Sequence, residues 1–326
     1  MRDLTPNATA WLAGHHGVIT SSTMRLCGVG RSTTERLIRA GVLANPLKGV
    51  YLLAAVPLTL HSRCAILCAA HPTGFVTGST AGALLPLRRM PRASGIHFAV
   101  RHGINLPNEP GVVWRQTTAL PKSHVEHRAD GINVAKPKRL AFDLAWELPA
   151  MDHLSVLHQL IEEKRVTVEE LVAIAEELCH PARRGSGRFQ ESLERLGSGV
   201  PAGSHPEVLL GEALHDRGVP IERQSRVVRV GGRLARVDLA VPDVRWGVEL
   251  DIHPEHRTLE GHGGDTRRYR DLHRAEWQIE PVSEADMRNV HALADELTEL
   301  YQLRRRRLGQ HSLSRKHSDG LVLHGW

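Results

Sequence analysis

Paired cysteines are missing from this chain. The four that occur, Cys27, Cys64, Cys68 and Cys179, are scattered, and no Cys-x-x-Cys sets are present to hold a structural zinc. Cys64 and Cys68 fall at helical spacing in an apolar run, the pattern of buried thiols rather than of metal ligands. A phosphate-binding Gly-Lys-Ser/Thr motif is also missing, so the small residues from Thr77 to Leu85 read as the start of a packed helix. His97, His102, His124 and His127 lack the paired spacing of a metal site and are expected on the surface or satisfied within strands. No basic-then-apolar segment opens the sequence, and no apolar run approaches the roughly 18 residues of a membrane span. A reduced, cytoplasmic protein with no membrane partner is expected.

What the 326 residues do contain is an uneven distribution of charge. A chain of this length exceeds one ordinary core and predicts two or three domains. The formal charge is +6, but residues 1–130 hold 14 Lys plus Arg against 5 Asp plus Glu, and the remainder 28 against 31. A polyanion such as nucleic acid is the natural partner of the basic part, although a similar surplus occurs on surfaces that bind nothing.

Residues 1–57 read as a winged helix-turn-helix. Thr9 to His15 can form a short helix, and Thr20 or Ser21 can cap a second containing Met24 and Leu26. After the turn Gly28-Val29-Gly30, Ser32 or Thr33 can cap a third helix that buries Leu37 and Ile38 and stops at Gly41. Two short helices across a Gly-containing turn make the helix-turn-helix pattern, and Val42 to Leu53 reads as strand, turn and strand, a wing. The second helix of such a module enters the major groove. Arg31, Ser32, Thr33, Thr34, Glu35, Arg36 and Arg39 are therefore expected to face DNA, with Lys48 from the wing turn. The alternative is a small helical bundle used for protein contacts.

Residues 58–145 read as an α+β extension, with a helix from His61 to Ala70 and strands near Ile96–Val100 and Gly111–Arg115. Residues 146–200 read as a helical connector. Its apolar positions include Leu154, Leu157, Leu160 and Ile161, Thr167 and Glu170 have capping-box spacing, and Pro181 to Arg188 forms a flexible hinge.

Residues 201–303 read as a small α/β domain, and residues 304–326 as a basic, disordered tail. Ser204 caps a helix with Glu207 in its first turn. Strands follow near Ile221–Val230, Leu234–Val241 and Trp246–Ile252, then an Arg-rich helix from Asp265 to Arg274, a strand around Trp277 and a helix from Ser283 to Arg307. In the third strand Glu249 and Asp251 alternate with Val248, Leu250 and Ile252, so both carboxylates share one face. Asp238 sits in another apolar strand. Carboxylates beside a core are costly unless a cation partners them. That cation is either a metal ion or one of Arg236, Arg267 and Arg268.

The motifs Ser204-His205-Pro206-Glu207, Arg236-Val237-Asp238, Val248-Glu249-Leu250-Asp251 with His253 and His256, Asp265 to Asp271, and Ala275-Glu276-Trp277 occur in an order that is similar to a known family. Over roughly Ser204 to Arg288 the chain resembles the very short patch repair (Vsr)-like branch of the PD-(D/E)XK nuclease superfamily. More loosely, through Gly17-Val18-Ile19-Thr20, Arg31-Ser32-Thr33-Thr34, Gly41-Val42-Leu43 and Lys48-Gly49-Val50-Tyr51, residues 8–145 resemble the AbiEi-type antitoxin winged-helix domain.

The nuclease resemblance implies Mg²⁺ (or Mn²⁺) held by Asp238, Glu249 and the Leu250 carbonyl, with Glu207 orienting water or binding through it. It implies His253 or His256 as the proton carrier, and Arg267, Arg268 and Arg270 against phosphate charge. Asp251 stands where the superfamily usually has Lys, a change shared by the Vsr-like branch, and Ile252 stands where Gly commonly follows. The whole is expected to be a multidomain α/β protein: an N-terminal winged helix-turn-helix with an α+β region, a helical connector, and a C-terminal restriction-endonuclease-like α/β domain. DNA is the expected partner, with a second copy of the chain or a toxin or defence protein as further ones. The implied function is a metal-dependent endonuclease in defence or repair. The alternative is a transcriptional regulator or antitoxin-like DNA-binding protein with an inactive nuclease fold.

Overall fold

The computed structural model describes residues 4–92, 94–119, 121–196, 203–228, 232, 234–251 and 268–319. The protein is mixed α/β and divides into two compact units, residues 1–153 with 165–193 and residues 154–164 with 194–326. The expected connector, 146–200, is thereby shared between them.

In the first unit, α1 (Pro6–Gly14) starts earlier than Thr9 because Thr5 caps it, its Oγ1 accepting from the Ala8 N–H, and Pro6 suits a position with no N–H to satisfy. β1 (Val18–Thr20) leads into α2 (Ser21–Leu26), capped by Thr20. The helix α3 (Arg31–Arg39) has Gly30 as its N-cap, so neither Ser32 nor Thr33 caps it. Val29 is drawn into the core and the helix begins as the chain leaves it. β2 (Leu43–Leu47) and β3 (Val50–Leu53) are joined by Lys48-Gly49, where Gly49 takes a φ of +77° that disfavours a side chain. β3 pairs antiparallel with both neighbours in the order β1-β3-β2. Leu4, Ala8, Leu12, Ile19, Met24, Val29, Leu37 and Leu43 pack together beneath it.

The same unit continues through α4 (Leu60–Ala70), β4 (Phe75–Val76), α5 (Gly78–Leu84), β5 (Ile96–Arg101), β6 (Val112–Thr117), β7 (Val125–His127), β8 (Asn133–Ala135) and α6 (Pro137–Leu144). The strands form a second sheet in the order β6-β5-β4-β8-β7. Burial in α4 pushes the thiols of Cys64 and Cys68 up to about 12, which makes them packed and unreactive. A polar network lies inside. Glu147 accepts from the Ser79 N–H at 2.8 Å and pairs with Arg115 and His97, while Asp143 accepts from Thr77 Oγ1 at 2.5 Å and Arg139 Nε at 2.9 Å. His97 is thus a satisfied strand residue, and these charges neutralise one another inside the fold.

Three helices follow: α7 (Ala150–Glu162), α8 (Val168–Leu178) and α9 (Ser186–Leu196). Thr167 and Glu170 form the capping box of α8. The segment expected as a flexible hinge is a hydrogen-bonded turn instead. Arg183 donates to the Leu178 carbonyl at 2.5 Å, His180 N–H donates to Ser186 Oγ at 3.1 Å, and α9 already begins at Ser186.

The second unit is built on α10 (His205–His215), β9 (Glu222–Val228), β10 (Leu234–Val241), β11 (Trp246–Asp251), α11 (residues 268–274), β12 (Gln278–Ser283) and α12 (Val290–Asp319). The sheet order is β12-β11-β10-β9. β9, β10 and β11 are antiparallel neighbours, whereas β12 pairs parallel with β11 and so needs a crossover, which the stretch carrying α11 supplies. Leu210 and Leu214 of α10, Leu239, Val241, Trp246 and Val248 of the sheet, and Leu297 and Tyr301 of α12 form one cluster. Leu272 of α11 joins Val237, Ala240 and Trp277 in another. Of the tail expected over residues 304–326, residues 304–319 continue α12, where arginine is a good helix former and Arg304 donates to the Val244 and Glu276 carbonyls, and residues 320–326 lie outside the described residues. Among the described residues no helix is long and apolar enough to cross a membrane.

Candidate functional site

The second unit gathers acidic side chains from three elements. Ser204 caps α10 and fixes its first turn, its Oγ accepting from the Glu207 N–H at 3.4 Å. Glu207 is only 7% exposed. Its Oε2 accepts from the Gly203 N–H at 2.9 Å and from Gln224 Nε2 at 2.5 Å. Gln224, on β9, also donates to Asp238 Oδ1 at 3.4 Å, and Asp238 Oδ2 accepts from the Leu250 N–H at 3.0 Å. The antiparallel register, in which Leu239 faces Val248, puts Asp238 across from Glu249. Gln224 of β9 thus bridges Glu207 of α10 and Asp238 of β10, and Glu249 lies on the neighbouring strand β11. Burial, and after it the charge of Asp238, push the Glu207 carboxyl above the usual carboxylate range.

Glu249 is also 7% exposed, and Arg268 of α11 donates to its Oε2. Its Oε1 is buried with no hydrogen-bond partner among the described residues, and the same holds for Gln224 Oε1. Unsatisfied buried oxygens beside like-charged carboxylates are unfavourable, and oxygen donors of this kind suit a hard divalent cation. Among the described residues no three His, Cys, Asp or Glu side chains are already grouped as ligands of an ion. Gln224 bridges two of the acidic groups and Arg268 pairs with the third, and the oxygens of Asp238 and Glu249 are donors of the kind that could hold Mg²⁺ or Mn²⁺. Leu250, expected to offer its carbonyl, uses its N–H to hold Asp238 in place.

Of the other expected site residues, His253, His256 and Arg267 lie outside the described residues. Asp251 ends β11, opposite Ser283, and Arg270 is exposed on α11. Gln224 is the residue that sequence reasoning passes over. A glutamine in a polar strand carries no signal by itself, and its φ of +50° is not legible from residue type.

In the first unit, Arg31, Ser32, Arg36 and Arg39 are exposed along α3, Thr33 is half-buried, and Lys48 is exposed in the β2–β3 turn. Arg31 donates to Glu35 at 2.8 Å, an exposed pair of small energetic weight. Thr34 corrects the expectation: it is 5% exposed and its Oγ1 donates to the Gly30 carbonyl at 3.1 Å. It lies three residues before Leu37, on the stripe of α3 that faces the core.

No family model matches the chain, and no curated protein matches it. Among solved structures it is similar to the crystal structure of the RV2827C protein from Mycobacterium tuberculosis, with 19% identity, a TM-score of 0.39, and coverage of 58% of this chain and 78% of that one.

Proposed function

We propose that this protein is a DNA-binding, metal-dependent endonuclease-like protein, with a winged helix-turn-helix at residues 1–57 and a Vsr-like fold carrying the chemistry in its second unit. The observation that carries this reading is the Gln224 bridge between Glu207 and Asp238, with Glu249 on the adjoining strand and two buried oxygens, Glu249 Oε1 and Gln224 Oε1, that have no hydrogen-bond partner among the described residues. A bound Mg²⁺ or Mn²⁺ would polarise a phosphodiester and lower the pKa of water beside it. Asp238, held by the Leu250 N–H, and Glu249 would bind that ion. Glu207, with its raised pKa, takes or holds a proton more readily than an exposed carboxylate. Arg268 carries positive charge to the same place and would meet phosphate. In the first unit, Ser32, Arg36, Arg39 and Lys48 supply the exposed polar and basic face that a DNA backbone requires.

The Arg268–Glu249 pair supports a second reading, a regulator or antitoxin-like protein whose nuclease-like fold only binds. One experiment separates them. The intact chain is incubated with Mg²⁺ and supercoiled, mismatched and branched DNAs. Nicking that is lost in Asp238→Ala supports the nuclease. Activity that survives the substitution, or retention of DNA with no cleavage of any substrate, overturns it.

A further inference from the structure

Gln224 sits in the middle of β9 with a φ of +50°, a left-handed conformation rare for a residue with a long side chain. β9 and β10 pair in one continuous register, with Val237 opposite Ser225 and Leu239 opposite Arg223, and the Gln224–Asp238 pair between them drops out. The strand therefore gives up regular pairing at one residue without changing register. Its side-chain amide then reaches both Glu207 and Asp238. Gly203 gives room on the other side: a Cβ there would lie 3.2 Å from Glu207 Oε1 and 3.5 Å from Gln224 Nε2. Backbone strain held at one residue whose side chain bridges two acidic groups is the kind of outlier that marks function.

An amide is suited to this place in a way that a lysine or arginine is not. Its NH₂ satisfies two carboxylates while bringing no net charge, and half a turn about its last torsion exchanges the donor for a carbonyl acceptor with almost no change in shape. That carbonyl, Oε1, is buried and has no hydrogen-bond partner among the described residues. We propose that Gln224 is a reversible placeholder: without a cation its NH₂ bridges Glu207 and Asp238, and with a divalent cation bound the amide turns over and Oε1 joins the oxygen ligands. The inference rests on the metal-dependent reading of this site and adds a ligand that its motifs do not contain.

The test is calorimetric titration of the full-length, metal-free chain with Mn²⁺, backed by the paramagnetic resonance signal of free Mn²⁺, for the wild type and for Gln224→Leu, Gln224→Glu, Gln224→Gly and Asp238→Ala. Leu and Gly remove the oxygen and are expected to weaken Mn²⁺ at least tenfold. Glu keeps an oxygen and loses the donor, so it is expected to bind Mn²⁺ at least as tightly as the wild type while melting lower without it. A merely structural bridge predicts instead that Glu and Leu lose affinity together. Gln224→Gly tolerates the backbone conformation, so it remains informative if the Leu variant does not fold. Mn²⁺ affinity within twofold of wild type in the Leu and Gly variants, with Asp238→Ala losing it, overturns the role of Gln224 alone. No Mn²⁺ binding by the wild type overturns the metal-dependent reading and this inference together.

Discussion

Glu207 carries the sharpest consequence of a single ionisation. Burial, and next the charge of Asp238, raise its carboxyl pKa in the folded chain, while in the unfolded chain it titrates near its ordinary value of about 4.3. Between that value and the raised one, the folded state binds more protons than the unfolded state. Stability therefore falls as pH rises through that window, and above it the full penalty remains. Gln in its place keeps an acceptor for the Gly203 N–H and removes the charge. In metal-free buffer, Glu207→Gln is expected to melt higher than the wild type at pH 7, with the gap closing at pH 4. Differential scanning calorimetry checks this, and an equal gap at both pH values would contradict it. Mn²⁺ should raise the melting temperature of the wild type more than that of the variant.

The decisive element is β11, because Trp246 anchors it at one end and Glu249 projects near the other. Trp246 is fully buried and packs edge-on against Tyr301 at 5.7 Å between ring centroids. Its Nε1 has no hydrogen-bond partner among the described residues, so the indole contributes through packing. Trp246→Ala is expected to cost about 3–5 kcal/mol in urea unfolding, and Trp246→Phe much less, since no hydrogen bond is lost. At this scale much was legible beforehand. The alternation through Val248 and Leu250, the Ser204 cap and the Thr167–Glu170 box all mark their elements in the chain itself. What was not legible depends on neighbours distant in sequence. Thr34 goes inside because it shares a helix stripe with Leu37, the turn between α8 and α9 is tied by Arg183 and Ser186, and α12 continues where Arg304 meets the carbonyls of Val244 and Glu276. The acidic residues stand out in the sequence as carboxylates within apolar strands and through the motifs of the nuclease resemblance, whereas the glutamine between Glu207 and Asp238 is marked only by its torsion angle.

Across the whole molecule, residues 1–130 carry the basic surplus and the rest a small acidic one, so on the proposed reading DNA is met by the first unit. A duplex held through exposed cations of the first unit should bind in a salt-dependent way, with roughly 0.9 in the slope of log affinity against log salt for each phosphate contact. Arg39→Ala with Lys48→Ala is expected to lower that slope by up to about 2 and to weaken binding across unrelated sequences alike. Fluorescence anisotropy over a salt series reads both. An unchanged slope would remove this face of α3 from the DNA contact and favour its use for a protein partner.

The parallel pairing of β11 with β12 also sets an order of events during synthesis. Glu207, Gln224, Asp238 and Glu249 all leave the ribosome before β12, and Leu297 and Tyr301, which cover Trp246, follow later still. Until those later residues arrive, β11 lacks one of its two partner strands and Trp246 lacks its cover, so the strand that carries Glu249 is held on one side alone. The acidic residues are thus made early and the packing that fixes the strand of Glu249 is made last.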